Sequence, residues 1–204
     1  MTLVDTYLAG LRAALPEADN TALAVATGAT PAQLDALRAA YPLCPASLLE
    51  LLGKLDGTYW RDYGDTTINV LVLGSDVYEY PYYLLSAGQM LEEGAKYRDS
   101  IAEIYGDDVN VDGELVDSRI DIALPMGRRL CFSHCMNNGG TSQLYIDFAP
   151  APGGKVGQVV RFLHDPDSYA VIADDFDAYL RKLIRRLCVC HRFRRRIEAG
   201  ADYG

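Results

Sequence analysis

A chain of 204 residues, half of them hydrophobic and 23% charged, has an ordinary globular balance and is long enough to build one domain around a real core. Its formal net charge of −9 is uneven: residues 1–180 carry 11 basic and 26 acidic side chains, a net of −15, whereas residues 181–204 carry eight basic and two acidic, a net of +6. An acidic body attracts basic partners and repels nucleic acid, and no run of about 18 apolar residues exists to span a membrane.

Thr2 caps a first helix with Leu3, Tyr7, Leu8, Leu11 and Leu15 on one side, ended by Pro16. This start lacks a basic segment ahead of an apolar one, and five cysteines without a secretory signal predict reduced thiols in the cytoplasm. Residues 18–29 read as a small-residue connector. Thr30-Pro31 starts a second helix that buries Leu34 and Leu37. Another runs from Ser47 to Leu52 and is closed by Gly53 and by Asp56-Gly57. An aromatic, charged loop follows around Trp60, the only tryptophan. Residues 67–73 predict a strand. VYEYPYY, with Pro81, suits an edge strand or an irregular loop. Residues 88–105 predict one helix, with Met90, Leu91, Ala95, Ile101 and Ile104 inside. An acidic loop and a short strand at Ile120, Ile122 and Leu124 come next.

The chain is organised around residues 128–187. Two strands join at the turn Asn138-Gly139, which tolerates positive φ, and a third follows a Pro/Gly turn. In the second strand Leu144, Ile146 and Phe148 alternate with Tyr145 and Asp147, which predicts one buried and one wet face. The last helix starts with Asp174, Asp175 and Asp177 and carries Phe176, Tyr179, Leu180, Leu183, Ile184 and Leu187 as a stripe. The stripe fades after Cys190 among arginines, so the helix is expected to outrun the domain body.

Chemical constellations are few. Residues 108–113 match the first half of a calcium loop, but Arg119 stands where a bidentate glutamate is needed. Cys131, His134, Cys135, Cys188, Cys190 and His191 have zinc-ligand chemistry, but not standard zinc spacings. Strand alternation also sends His134 and Cys135 to opposite faces. No nucleophile elbow or phosphate-binding glycine loop is present. No cofactor, metal or catalytic residue is therefore expected.

The order of elements predicts an α+β single domain, with a largely antiparallel or mixed sheet of about six strands flanked by helices and a long C-terminal helix. The chain resembles the SUKH superfamily, which joins Smi/Knr-type fungal cell-wall assembly regulators with bacterial immunity proteins of polymorphic toxin systems. The resemblance covers roughly residues 30–184. It rests on the Pro-bearing turn before Ser47–Leu52, the turn Lys54-Leu55-Asp56-Gly57, the loop at Trp60, and the hairpin through Gly139, Gly140, Leu144, Tyr145, Asp147 and Phe148. Gly157-Gln158-Val159 and the helix with Phe176 and Leu180 complete it. At VYEYPYY the usual family pattern has a tidier strand. The division expected is an N-terminal helix and connector over 1–29, a SUKH-like domain over 30–184 and a basic helical extension over 185–204.

The resemblance implies protein binding and no shared catalytic residues. Large amphipathic rings among carboxylates suit a hot spot for a basic protein. The candidates are Trp60, Asp62, Tyr63, Asp76, Glu79, Tyr80 and Tyr82. The leading expectation is an immunity protein occluding a cognate toxin, with a basic nuclease as the class that phosphate-mimicking carboxylates would fit. Alternatives are a regulatory scaffold in cell-wall or signalling assembly, and a thiol/histidine metalloprotein or enzyme. The arginine tail is expected to lie on the acidic body of its own chain or of a dimer mate before it touches any nucleic acid or membrane.

Overall fold

A computed structural model describes residues 1–78, 80–106, 115–137 and 140–187. Helices α1 (Leu3–Ala14), α2 (Glu17–Leu23), α3 (Pro31–Ala40) and α4 (Ala46–Leu52) come first. A hairpin of β1 (Arg61–Tyr63) and β2 (Thr66–Ile68) follows, then β3 (Leu73–Gly74), β4 (Pro81–Leu84), α5 (Ala87–Lys96) and α6 (Ile101–Tyr105). After a 3-10 turn come β5 (Leu130–Asn137), β6 (Gly140–Asp147), β7 (Gln158–Leu163) and β8 (Ser168–Ala173). Residues 176–187 form α7. Strands β3 to β8 make one six-stranded sheet in which each strand runs antiparallel to the next. This is the α+β single domain expected.

The starts of α1, α3, α5 and α6 carry capping boxes, from Thr2 with Asp5, Thr30 with Gln33, Ser86 with Gln89 and Ser100 with Glu103. The last of these corrects the reading of one helix over 88–105. Ser100 opens a second helix after Tyr97 has ended the first, and Ile104 and Ala95 are exposed. The connector read over 18–29 is helical in its first part: α2 starts at Glu17 behind Pro16, with Glu17 and Asp19 complementing the first turn. The strand expected at 67–73 is split, with its ends in β2 and β3, and residues 120–124 form turns rather than a strand.

Register assigns the sheet faces, because directly paired residues point the same way. Leu84, Ser133, Leu144, Arg161 and Ala170 share one face; Tyr83, His134, Gln143, Phe162 and Tyr169 share the other. On the first face Phe132 packs edge-on against Phe176 and Tyr179 of α7, and Val4, Tyr7 and Leu11 of α1 join the same core. The second face meets α5 through Glu93 and His134. Both faces are therefore covered, which corrects the expectation of a wet face on β6. Tyr145 and Asp147 are buried as deeply as Leu144 and Ile146. The Asp147 charge is met inside by Arg129, 3.6 Å away and equally buried, and by donors from Gln158 and from the Ala149 backbone. Arg129 in turn donates to the carbonyls of Leu124 and Asp121.

A bulge in β5 has consequences for chemistry. Pairing slips between Cys131 and Ser133, so Cys131 faces Tyr145 while His134 faces Gln143. Residues three apart on a regular strand point to opposite faces; the extra residue brings Cys131 and His134 to the same one.

Candidate functional site

The β1–β2 hairpin stands apart from the main sheet and is held by Asp56. The buried Asp56 carboxylate accepts the Ala87 backbone N–H at the start of α5 (2.9 Å) and the Arg61 guanidinium (2.8 Å). Arg61 lies over the Tyr63 ring, and the Tyr63 hydroxyl donates to the Gly57 carbonyl at 2.9 Å. Burial pushes the Tyr63 hydroxyl up to about 12. Just before the hairpin the Tyr59 ring packs on Tyr83 and against the edge of His134, and its carbonyl accepts Gln89 Nε2 at 2.9 Å. The frame is fixed from several sides.

On this frame Trp60 is 60% exposed, with φ = 46°. A bulky residue in the left-handed region is uncommon, and the conformation costs on the order of 1–2 kcal/mol. Asp62 and Asp65 are exposed beside it, and Asp62 accepts the Thr67 hydroxyl across the hairpin at 2.6 Å. A large ring and two carboxylates are thus exposed within six residues of chain on a hydrogen-bonded base.

The other candidates lie elsewhere. Thr58 and Leu84 bond through their backbones, which sets the hairpin beside the Leu84 end of β4; Gly74 pairs with Pro81, which sets the 75–80 loop at the opposite end. In that loop Asp76 is engaged by Arg161, whose Nε and Nη2 donate at 2.7 and 3.2 Å. Tyr80 is half-buried against the core. Tyr82 is fully buried, because it points to the α7 face of β4, and so it lies inside the body and away from any partner surface. Glu79 lies outside the described residues. The six described candidates therefore lie in two places, and Trp60, Asp62 and Tyr63 share the one with an open face. The exposed ring of Tyr78, not among the candidates, is covered on one side by Arg186 at 4.3 Å; Arg186 also donates to the Ser75 carbonyl. Arg186 thus lies on the body of its own chain. The basic segment from 188 onward, the turn Asn138-Gly139 and the acidic loop 108–113 lie outside the described residues.

Of the cysteine and histidine set, Cys131 and His134 come together with Glu93 of α5, all buried, with one ligand atom of each within 4.8 Å of the others. Cys135 points to the opposite face, paired with Ser142. Cys188, Cys190 and His191 lie outside the described residues. Burial, then the Glu93 carboxylate, pushes the Cys131 thiol well above its ordinary range. Burial alone would raise the Glu93 carboxyl; the bond from His134 and the charge of Lys96 overturn this and lower it. A buried thiol beside a carboxylate is the reverse of an activated nucleophile. Glu93 gave no sequence signal, because it reads as an ordinary exposed helix position.

Residues 28–182 match the model of the SMI1/KNR4 family (SUKH-1). The chain belongs to this family. No curated protein matches it. The SUKH-1 match begins at Gly28, after α2, and ends within α7, so it takes in the hairpin and the whole main sheet. Among the described residues of this SUKH-1 chain, no helix is long and apolar enough to cross a membrane.

Proposed function

We propose that the protein is a non-catalytic binding module that acts as an immunity protein, occluding a basic toxin domain of the nuclease class. The observation that carries the reading is Trp60, the only tryptophan, held in water at a costly backbone angle beside Asp62 and Asp65 on a hairpin outside the main sheet. A ring kept exposed at a conformational cost is a ring kept for contact. The acidic body supports the same reading, since its field steers a basic partner and the carboxylates can take the place of phosphates. SUKH-1 membership is consistent with this role, and so is the inert setting of Cys131.

The test is binding of the full chain to the toxin domain encoded beside it, by calorimetry. Trp60→Ala is expected to weaken binding by at least about 2 kcal/mol, the threshold of a hot spot, and Asp62→Asn by less. Unchanged affinity in both variants, with the fold intact, would place the contact elsewhere.

A further inference from the structure

We propose that Glu93, Cys131, His134 and Gln143 form a closed structural site for a divalent metal ion of the zinc class between α5 and the main sheet. The cluster joins a carboxylate, a thiol and an imidazole, the donor types that such an ion takes. All are buried, and their ligand atoms converge within 4.8 Å. His134 Nε2 and Glu93 Oε2 stand 3.2 Å apart. Two ligands each ~2.1 Å from one tetrahedral ion stand about 3.4 Å apart, so this edge is already near the right length.

Hydrogen-bond bookkeeping points the same way. Gln143 Nε2 lies 3.1 Å from His134 Nε2 and 3.4 Å from Glu93 Oε2. The carboxylate asks for a proton on His134 Nε2; the Gln143 amine asks for a lone pair on the same atom. The two demands conflict. Turning the Gln143 amide over presents its Oε1 to the cluster, and its NH2 then donates to the Tyr145 hydroxyl, which now bonds the Oε1 at 2.5 Å. With the His134 proton on Nδ1, Glu93 Oε2, His134 Nε2 and Gln143 Oε1 then converge as acceptors beside Cys131 Sγ, and a cation satisfies them together. With Cys131 as thiolate, its charge and that of Glu93 balance a divalent ion, which offsets the cost of burying them.

The surroundings hold the ligands in place. Lys96 Nζ lies 3.3 Å from Glu93 Oε1, leaving Oε2 free to turn inward, and the Tyr59 ring braces the edge of His134. Four protein ligands leave no open position, so the site is structural. It would pin α5, β5, β6 and the residue next to Trp60.

The full chain, stripped with chelator and kept reduced, is titrated with Co2+. One equivalent is expected to give a thiolate-to-cobalt charge-transfer band and intense tetrahedral visible bands, both displaced by Zn2+, with a higher Tm on zinc addition. Cys131→Ser should abolish the charge-transfer band. Glu93→Gln, which keeps the side-chain shape, should weaken cobalt binding by at least about 100-fold, the upper end of what even outer-shell partners cost. A Cys188→Ser/Cys190→Ser variant should keep the band. Absence of a one-equivalent band in the native chain overturns the proposal, as does a band that survives Cys131→Ser or disappears with the tail cysteines.

Discussion

At the scale of the residue, the same physics separates side chains kept for contact from side chains kept for packing. Trp60 is predicted to be the first kind. Trp60→Gly removes both the ring and the left-handed strain, whereas Trp60→Ala removes only the ring. The glycine variant should therefore be more stable than the alanine variant by about 1 kcal/mol, measured by urea unfolding. Tyr82, fully buried on β4, is the second kind, and Tyr82→Ala should cost roughly 3–5 kcal/mol in the same assay. Its position was not legible from its neighbours: seven aromatics and four acids interspersed over 59–83 look alike until the register of β4 decides which faces Tyr82 and Tyr83 take. Asp5 offers a pH test. The Lys54 ammonium, with the Thr2 N–H, lowers its carboxyl to about 2. A carboxyl lowered in the folded state stabilises above its unfolded pKa, near 3.8, and loses that contribution as pH falls through about 2. Lys54→Met should return the Asp5 titration, followed by NMR, toward the ordinary carboxylate range.

At the scale of the element, caps and turns were legible and interruptions were not. Thr2, Thr30-Pro31 and the Phe176–Leu187 stripe announced their helices, because a cap or a period of 3.6 is a local signal. The break at Ser100 and the bulge at Cys131–Ser133 depend on what lies opposite them, and no local pattern carries that. The bulge matters most for chemistry, since it alone puts Cys131 and His134 on one face. The wet face expected on β6 failed for a similar reason: alternation gives two faces, but not whether a second helix layer covers the other. The junction between α2 and α4 yields a further prediction. The Gly28 backbone approaches Gly53 so closely that a Cβ would sit 1.9 Å from its carbonyl oxygen, and the chain is locked there by the Ala29 and Asp56 N–H bonds to Leu52 and Thr27. Gly28→Ala should therefore cost roughly 2–4 kcal/mol in thermal or urea unfolding.

At the scale of the whole molecule, the proposed function assigns charge and shape one role. A body with a net of −15 over residues 1–180 attracts cations over a Debye length, and the proposal gives the short-range contact to the hairpin. Association with a basic toxin domain should slow steeply with added salt, and an on-rate indifferent to salt would count against steering. The most direct test of the central claim is a capture from the native host with the native chain and Trp60→Ala side by side, read by mass spectrometry. One basic toxin domain at near-equal stoichiometry is expected on the native chain, and its loss from the variant. Recovery of cell-envelope or signalling proteins instead, or equal capture of the toxin by both chains, would contradict the claim.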